Sequence, residues 1–171
     1  MDGRIIMLNG TSSAGKTTLS RALRPLLDPT FCYYSSDQLA DAKFRPIDPA
    51  ARSVGRDQFF DGFHRTIPAL ASAGLDLLVE HIVEERFWAE DLGVLLKGFD
   101  VFWVGVHASI ELITEREKQR GDRTIGEALY HLRTHDFCHY NMEVDTSLPL
   151  AEATATIVRA WKERKTQSLN S

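Results

Sequence analysis

The sequence predicts one α/β domain spanning residues 1–171: a five-stranded parallel sheet in three layers, with helices on both faces. Three observations lead there. Short apolar runs alternate with longer segments of helix-like spacing along all 171 residues. These runs lack the polar alternation of a half-exposed strand, so both of their faces are buried, which is the signature of parallel sheets. A glycine-rich turn holding one lysine joins the first strand pattern to the first helix pattern, the order of a strand–turn–helix unit.

Taken in chain order, "RIIML" is a first strand by its length and β-branching, and "KTTLSRALRPLL" opens the first helix. "FCYYS" is a second strand, followed by a helix start at "SSDQLADAKF". "RDQFFDGFHRTIPALASAG" is helical in spacing, with Pro68 expected to kink or break it. "LDLLVE" and "DVFWVGV" are the third and fourth strands, each preceded by a Gly-containing turn. Helical spacing returns in "EERFWAEDLGVLLKG", "SIELITEREKQRG" and "RTIGEALYHLRTHDF". "NMEVDT" is a short fifth strand before the helix "LAEATATIVRAWKERK", and the tail "TQSLNS" is expected to fray.

Composition narrows the function. The chain is 43% hydrophobic and 26% charged, ordinary for a globular domain. A net charge of −4 argues against a general nucleic-acid surface. No apolar run reaches the roughly 18 residues that span a bilayer, so no membrane partner is expected. "MDGRIIMLNG" lacks the features of a signal peptide. Cys32 and Cys138 lie far apart with no metal-like spacing and are expected to be reduced packing residues. A cytoplasmic protein follows; its oligomeric state is not legible.

Gly10, Gly15, Lys16 and Thr17 fit G-x-x-x-x-G-K-[ST] without a mismatch. The mechanism asks for the motif at this place, between a strand and a helix. The glycines let backbone N–H groups of Gly10, Thr11, Ser12, Ser13, Ala14 and Gly15 turn inward on phosphates, and the helix start adds its dipole and free N–H groups. Lys16 reaches the β- and γ-phosphates, Thr17 ligates Mg²⁺, and Thr18 continues the site. ATP with Mg²⁺ is therefore the expected cofactor pair. The guanine-reading Asn-Lys-x-Asp stretch of GTP switches is missing. A small-molecule kinase is the class that remains.

Two acids fall at predicted strand ends, where open parallel sheets bind ligands. Asp37 follows the second strand and suits a general base for an attacking hydroxyl, or else a helix cap. Glu80, with His81 beside it, follows the third strand and suits a metal-organising carboxylate, or else a surface acid. "TEREKQRGDR" sets Arg116 and Arg120 four apart, with Arg123 just beyond a Gly-Asp turn. A lid around 116–126 carrying these arginines would stabilise the charge of a moving phosphoryl group, with Arg116 on the nucleotide side. The alternative is a helix laced with pairs to Glu111, Glu115 and Glu117.

The segments "IIMLNGTSSAGKTT", "SSDQL", "AGLDLLVEHI", "FDVFWVGVHAS", "EREKQRGDRTIGEA" and "YNMEVDTS" together resemble chloramphenicol 3-O-phosphotransferase and related small P-loop kinases. They cover most of the chain, with residues 43–60 the chief gap. The resemblance implies a nucleoside-monophosphate-kinase-like sheet, Mg-ATP as donor and a free hydroxyl as acceptor. It implies Asp37 as base and Arg120 and Arg123 as lid arginines. Where the family's third strand ends in two aspartates, Glu80 and His81 stand here.

The reading is thus an ATP-dependent O-phosphotransferase acting on a small hydroxyl compound, with antibiotics among the candidates. A second is a nucleotide, nucleoside or adenylylsulfate kinase, favoured if Lys43, Arg45, Arg52 and Arg56 grip an anion rather than form a solvated face. A third is a nucleotide-binding regulator with no acceptor, against which Asp37 and the arginine segment both speak.

Overall fold

The computed structural model describes residues 1–120 and 126–164, with the Arg120 side chain outside the description. Five parallel strands form one sheet in the order β2-β3-β1-β4-β5: β1 is Ile5–Asn9, β2 Cys32–Ser35, β3 Leu77–His81, β4 Val101–His107 and β5 Met142–Asp145. The helices between them are α1 (Lys16–Leu23), α2 (Ser36–Asp41), α3 (Pro49–Val54), α4 (Arg56–Ser72), α5 (Arg86–Leu95), α6 (Ile110–Arg120), α7 (Glu127–His131) and α8 (Leu150–Glu163). This is the expected α/β architecture, strand for strand.

Strand alternation divides the core in two. Ile6, Leu8 and Leu78 point to one face and meet α1 and α8 through Leu19, Leu23, Ile157 and Trp161. Ile5, Met7, Leu77 and Val79 point to the other and meet Phe63, Ile67, Trp88 and Leu92 of α4 and α5. A fully buried aliphatic or aromatic side chain contributes about 1.5–3 kcal/mol, so two such layers hold the sheet between its helices. No helix among the described residues is long and apolar enough to cross a membrane.

Of the kink or break expected at Pro68, the break is not found, and one helix is added to the sequence reading. Pro68 sits inside α4 without ending it. Phe60, Phe63, His64, Ile67 and Ala71 form a buried stripe on both sides of the proline, and that packing outweighs the one backbone bond it forfeits. The segment after α2 also holds a helix that periodicity missed, because α3 buries no residue and is marked at its start by Asp48 accepting from Ala51 N–H at 2.7 Å and by Pro49.

The strand ends β1, β2 and β3 open onto a single cleft of about 850 Å³. It is lined from the β1–α1 turn, from α2 through α4, and from the segment after β3.

Candidate active site

The β1–α1 turn is built around its glycines. A Cβ on Gly10 would lie 2.3 Å from the Val106 carbonyl oxygen, so only glycine lets the turn pass under β4. Gly15 caps α1 in the left-handed region at φ +92°, where side chains are strained. Lys16 is 6% exposed and its ammonium donates to the carbonyls of Gly10 and Thr11 at 2.9 and 2.8 Å. The long cation is therefore folded across the mouth of its own loop. Ser13 Oγ is buried beside it with no hydrogen-bond partner. An orphaned hydroxyl and a buried ammonium that donates to two loop carbonyls are the donor set a polyphosphate would satisfy.

The other loop residues divide. Ser12, Ser13, Gly15, Thr17 and Thr18 line the cleft. The Thr11 hydroxyl instead donates to the Ala128 carbonyl, and the Ala14 carbonyl accepts from Thr146 Oγ1 at 2.6 Å. Those two tie the loop to α7 and to the turn after β5.

Alternation along β3 sorts its last two residues. Leu78 and Glu80 face α1, whereas His81 faces α4, so the neighbours in sequence serve different sides of the sheet. Glu80 accepts from Thr17 Oγ1 and Tyr33 OH, each at 2.6 Å, and from Ser20 Oγ at 3.3 Å. It is 7% exposed, which excludes the surface-acid alternative. Burial, and then the Glu80 carboxylate, push the Tyr33 phenol up to about 12. Thr17 and Glu80 thus stand together in the cleft beside the β1–α1 turn. Among the described residues no cluster of three or more His, Cys, Asp or Glu could hold a metal. Mg²⁺ does not require one, since it is commonly bound by one or two protein oxygens together with substrate phosphates.

His81 is buried against Phe60, Phe63 and Trp88, and its Nε2 lies 2.9 Å from His64 Nε2. Burial pushes His64 down to about 4 and His81 well below its ordinary value. Two neutral imidazoles share one hydrogen bond there, with Ser36 Oγ 3.3 Å from the far nitrogen of His81.

Asp37 lines the cleft from the first turn of α2. It is not the helix cap. Ser35 caps α2 by accepting from Gln38 N–H at 3.2 Å, and Gln38 Oε1 accepts in return from Ser35 N–H at 2.9 Å. Asp37 is left exposed to the cleft by a box that needs nothing from it.

Arg116 of α6 reaches the loop. Its guanidinium donates to Thr146 Oγ1 at 3.0 Å and Thr146 O at 3.2 Å, and lies 3.2 Å from where a Gly15 Cβ would stand. Glu117, only 2% exposed, forms no surface pair among the described residues: it accepts from Gly126 and Ala128 N–H at 2.8 and 2.9 Å, bonds that hold its carboxyl below the usual range. Those backbone bonds show why the salt-bridged-helix alternative fails for this acid. Arg123 and the Arg120 side chain lie outside the described residues.

For the far half of the cleft, sequence reasoning left Arg45, Arg52 and Arg56 open between an anion grip and a solvated face, and it missed Phe59, Phe60, Glu84 and His131. Arg45, Arg52, Arg56, Phe59, Phe60, Glu84 and His131 all line it. Glu84 pairs with Arg56, and its Oε2 lies 3.5 Å from His131 Nε2. Only their approach in space marks them, since residues 45–60, 84 and 131 share no spacing.

The family model described as chloramphenicol phosphotransferase-like protein matches residues 3–163. The chain belongs to the chloramphenicol phosphotransferase-like family. A proposed O-phosphotransferase of Mycobacterium tuberculosis, recorded from two strains, is 30% identical over 171 aligned positions, covering 85% of this chain and 76% of the relative. Among solved structures, the Mycobacterium tuberculosis APS kinase superposes with TM-score 0.63 at 14% identity, covering 95% of this chain and 99% of that one. A Sinorhizobium meliloti gluconokinase superposes at 0.61 with 16% identity, covering 94% and 92%. These superpositions show that this family member shares the P-loop kinase fold.

Proposed function

We propose that the protein is an ATP-dependent O-phosphotransferase that moves the γ-phosphate of Mg-ATP to a hydroxyl of a small molecule. One observation carries the reading: a single cleft is lined by Lys16, Thr17 and Glu80 and also by Asp37. Family membership and the named relatives support the same class of reaction.

The residues divide the work. Loop N–H groups, Ser13 and Lys16 hold the phosphates, with Lys16 leaving its two carbonyls to do so. Thr17 and Glu80 would hold Mg²⁺, which supplies charge neutralisation between the phosphates when bound. Asp37 accepts the proton of the acceptor hydroxyl as the new O–P bond forms, and the electrons of the breaking P–O bond leave on the diphosphate oxygen. Residues 116–126 serve as a lid within one working domain, with Arg116 fixing the loop and Arg120 and Arg123 supplying charge.

The experiment is a screen of small alcohols, antibiotics included, for a phosphate mass gain with Mg-ATP. Wild type should modify at least one alcohol while Lys16→Ala modifies none. ATP hydrolysed only to inorganic phosphate across the whole panel would contradict the reading.

A further inference from the structure

The acceptor half of the cleft, built by residues 36–60 and 80–84, is rich in guanidinium groups. Arg45, Arg52 and Arg56 all reach it, against the carboxylates of Asp37 and Glu84. Glu84 is taken up by Arg56 and His131. Among the described residues neither Arg45 nor Arg52 forms an ion pair with a carboxylate; Arg52 donates only to the Ile47 carbonyl at 3.0 Å.

Arg45 is held in an unusual way. Its guanidinium lies 4.3 Å over the Phe59 ring and 5.7 Å from that of Phe60, and its Nε is buried without a hydrogen-bond partner. A guanidinium lying on an aromatic face keeps its N–H groups free at the edge, where they can make a forked contact with an oxyanion. Burial and the nearby Arg56 and Arg52 charges lower its pKa, while Asp37 acts in the opposite direction. Three guanidinium groups gathered in a half-buried cleft repel each other, and an arriving anion would relieve that cost.

We propose that the acceptor is an anionic alcohol, a small hydroxyl compound that also carries a carboxylate, sulfate or phosphate group. Arg45 and Arg52 hold the oxyanion, Phe59 and Phe60 form the wall beneath it, and the hydroxyl is left facing Asp37. The inference rests on the kinase reading above and names the substrate class of that site.

The test uses the full chain saturated with Mg-ADP, so that added anions do not compete for the phosphate loop. Glycerol, glycerate and glycerol 3-phosphate are titrated while the melting temperature is followed; the last two compare carboxylate with phosphate. One or both anions should raise the midpoint with saturation while glycerol does not. Arg45→Gln and Arg52→Ala should each raise the half-saturating concentration about 10-fold or more, with Mg-ADP affinity unchanged. Both side chains lie on poorly buried segments, so the variants retain the core. Equal responses to glycerol and the anions, no response to any, or anion responses indifferent to both substitutions would overturn the proposal alone. Failure of Mg-ADP itself to bind would overturn the kinase reading with it.

Discussion

Glu80→Gln separates the structural role of this residue from its metal role. In the folded protein Tyr33 and Ser20 both donate to Oε2, and Thr17 donates to Oε1. An amide keeps one acceptor and replaces the other with a donor. Whichever way it turns, at least one hydroxyl faces an N–H and loses its bond to a charged acceptor. One such loss costs about 1.5–3 kcal/mol, which for a chain of this size lowers the melting temperature by about 3 to 12 °C. The fold should survive, because neither core layer is touched. Calorimetric titration of ADP with and without Mg²⁺ then reads the second role. The variant should bind ADP alone about as wild type does, yet lose most of the tightening that Mg²⁺ confers. A variant that melts lower but keeps the full Mg²⁺ effect would refute the metal assignment and leave Glu80 as a hydroxyl anchor.

Lys16→Ala should abolish transfer and weaken ATP binding, as read by calorimetry, because a buried charge-assisted contact is removed; unchanged affinity and turnover would remove the loop from the site. Arg120→Ala or Arg123→Ala should lower kcat by about 100-fold or more with a true acceptor, and wild-type kcat in both would leave residues 116–126 without a lid role. Acid should destabilise the fold through the buried imidazoles. With His64 at about 4 against an ordinary 6.5, the unfolded chain takes up protons that the folded chain refuses, so stability is full at neutral pH and declines as pH falls from 6.5 toward 4. For His64 alone the loss is about 2 kcal/mol by pH 5, and His81 adds in the same direction. Urea midpoints at pH 7.5 and 5 should therefore differ less for His64→Gln than for wild type; an equal difference would refute the assignment.

Much of the fold was legible because the central strands β1, β3 and β4 are largely buried on both faces and the core helices α1, α4, α5 and α8 carry buried residues at helical spacing. The phosphate loop was legible for a different reason: its glycines and lysine are adjacent in sequence and fixed in spacing. Glu80 could be placed at a strand end from pattern alone. That it faces α1 while His81 faces α4 follows from strand alternation once the register with β1 is known. The cap of α2 was left open because Ser and Asp are both good caps, and only the reciprocal bonds of Ser35 and Gln38 choose between Ser35, Ser36 and Asp37. Arg45 and Arg52 could not be assigned to the site, since α3 has no buried residue to give it a period and their common target, the cleft, is assembled from distant segments.

The central claim is phosphoryl transfer to an alcohol with Asp37 as the base, and Asp37→Asn tests it most directly. Asparagine keeps the size of the side chain and, because Ser35 caps α2, leaves the helix start intact. It cannot take a proton. With an accepted alcohol and labelled ATP, transfer by the variant should fall by at least about 100-fold while melting temperature and Mg-ATP affinity stay near wild type. Transfer at the full wild-type rate would contradict the account.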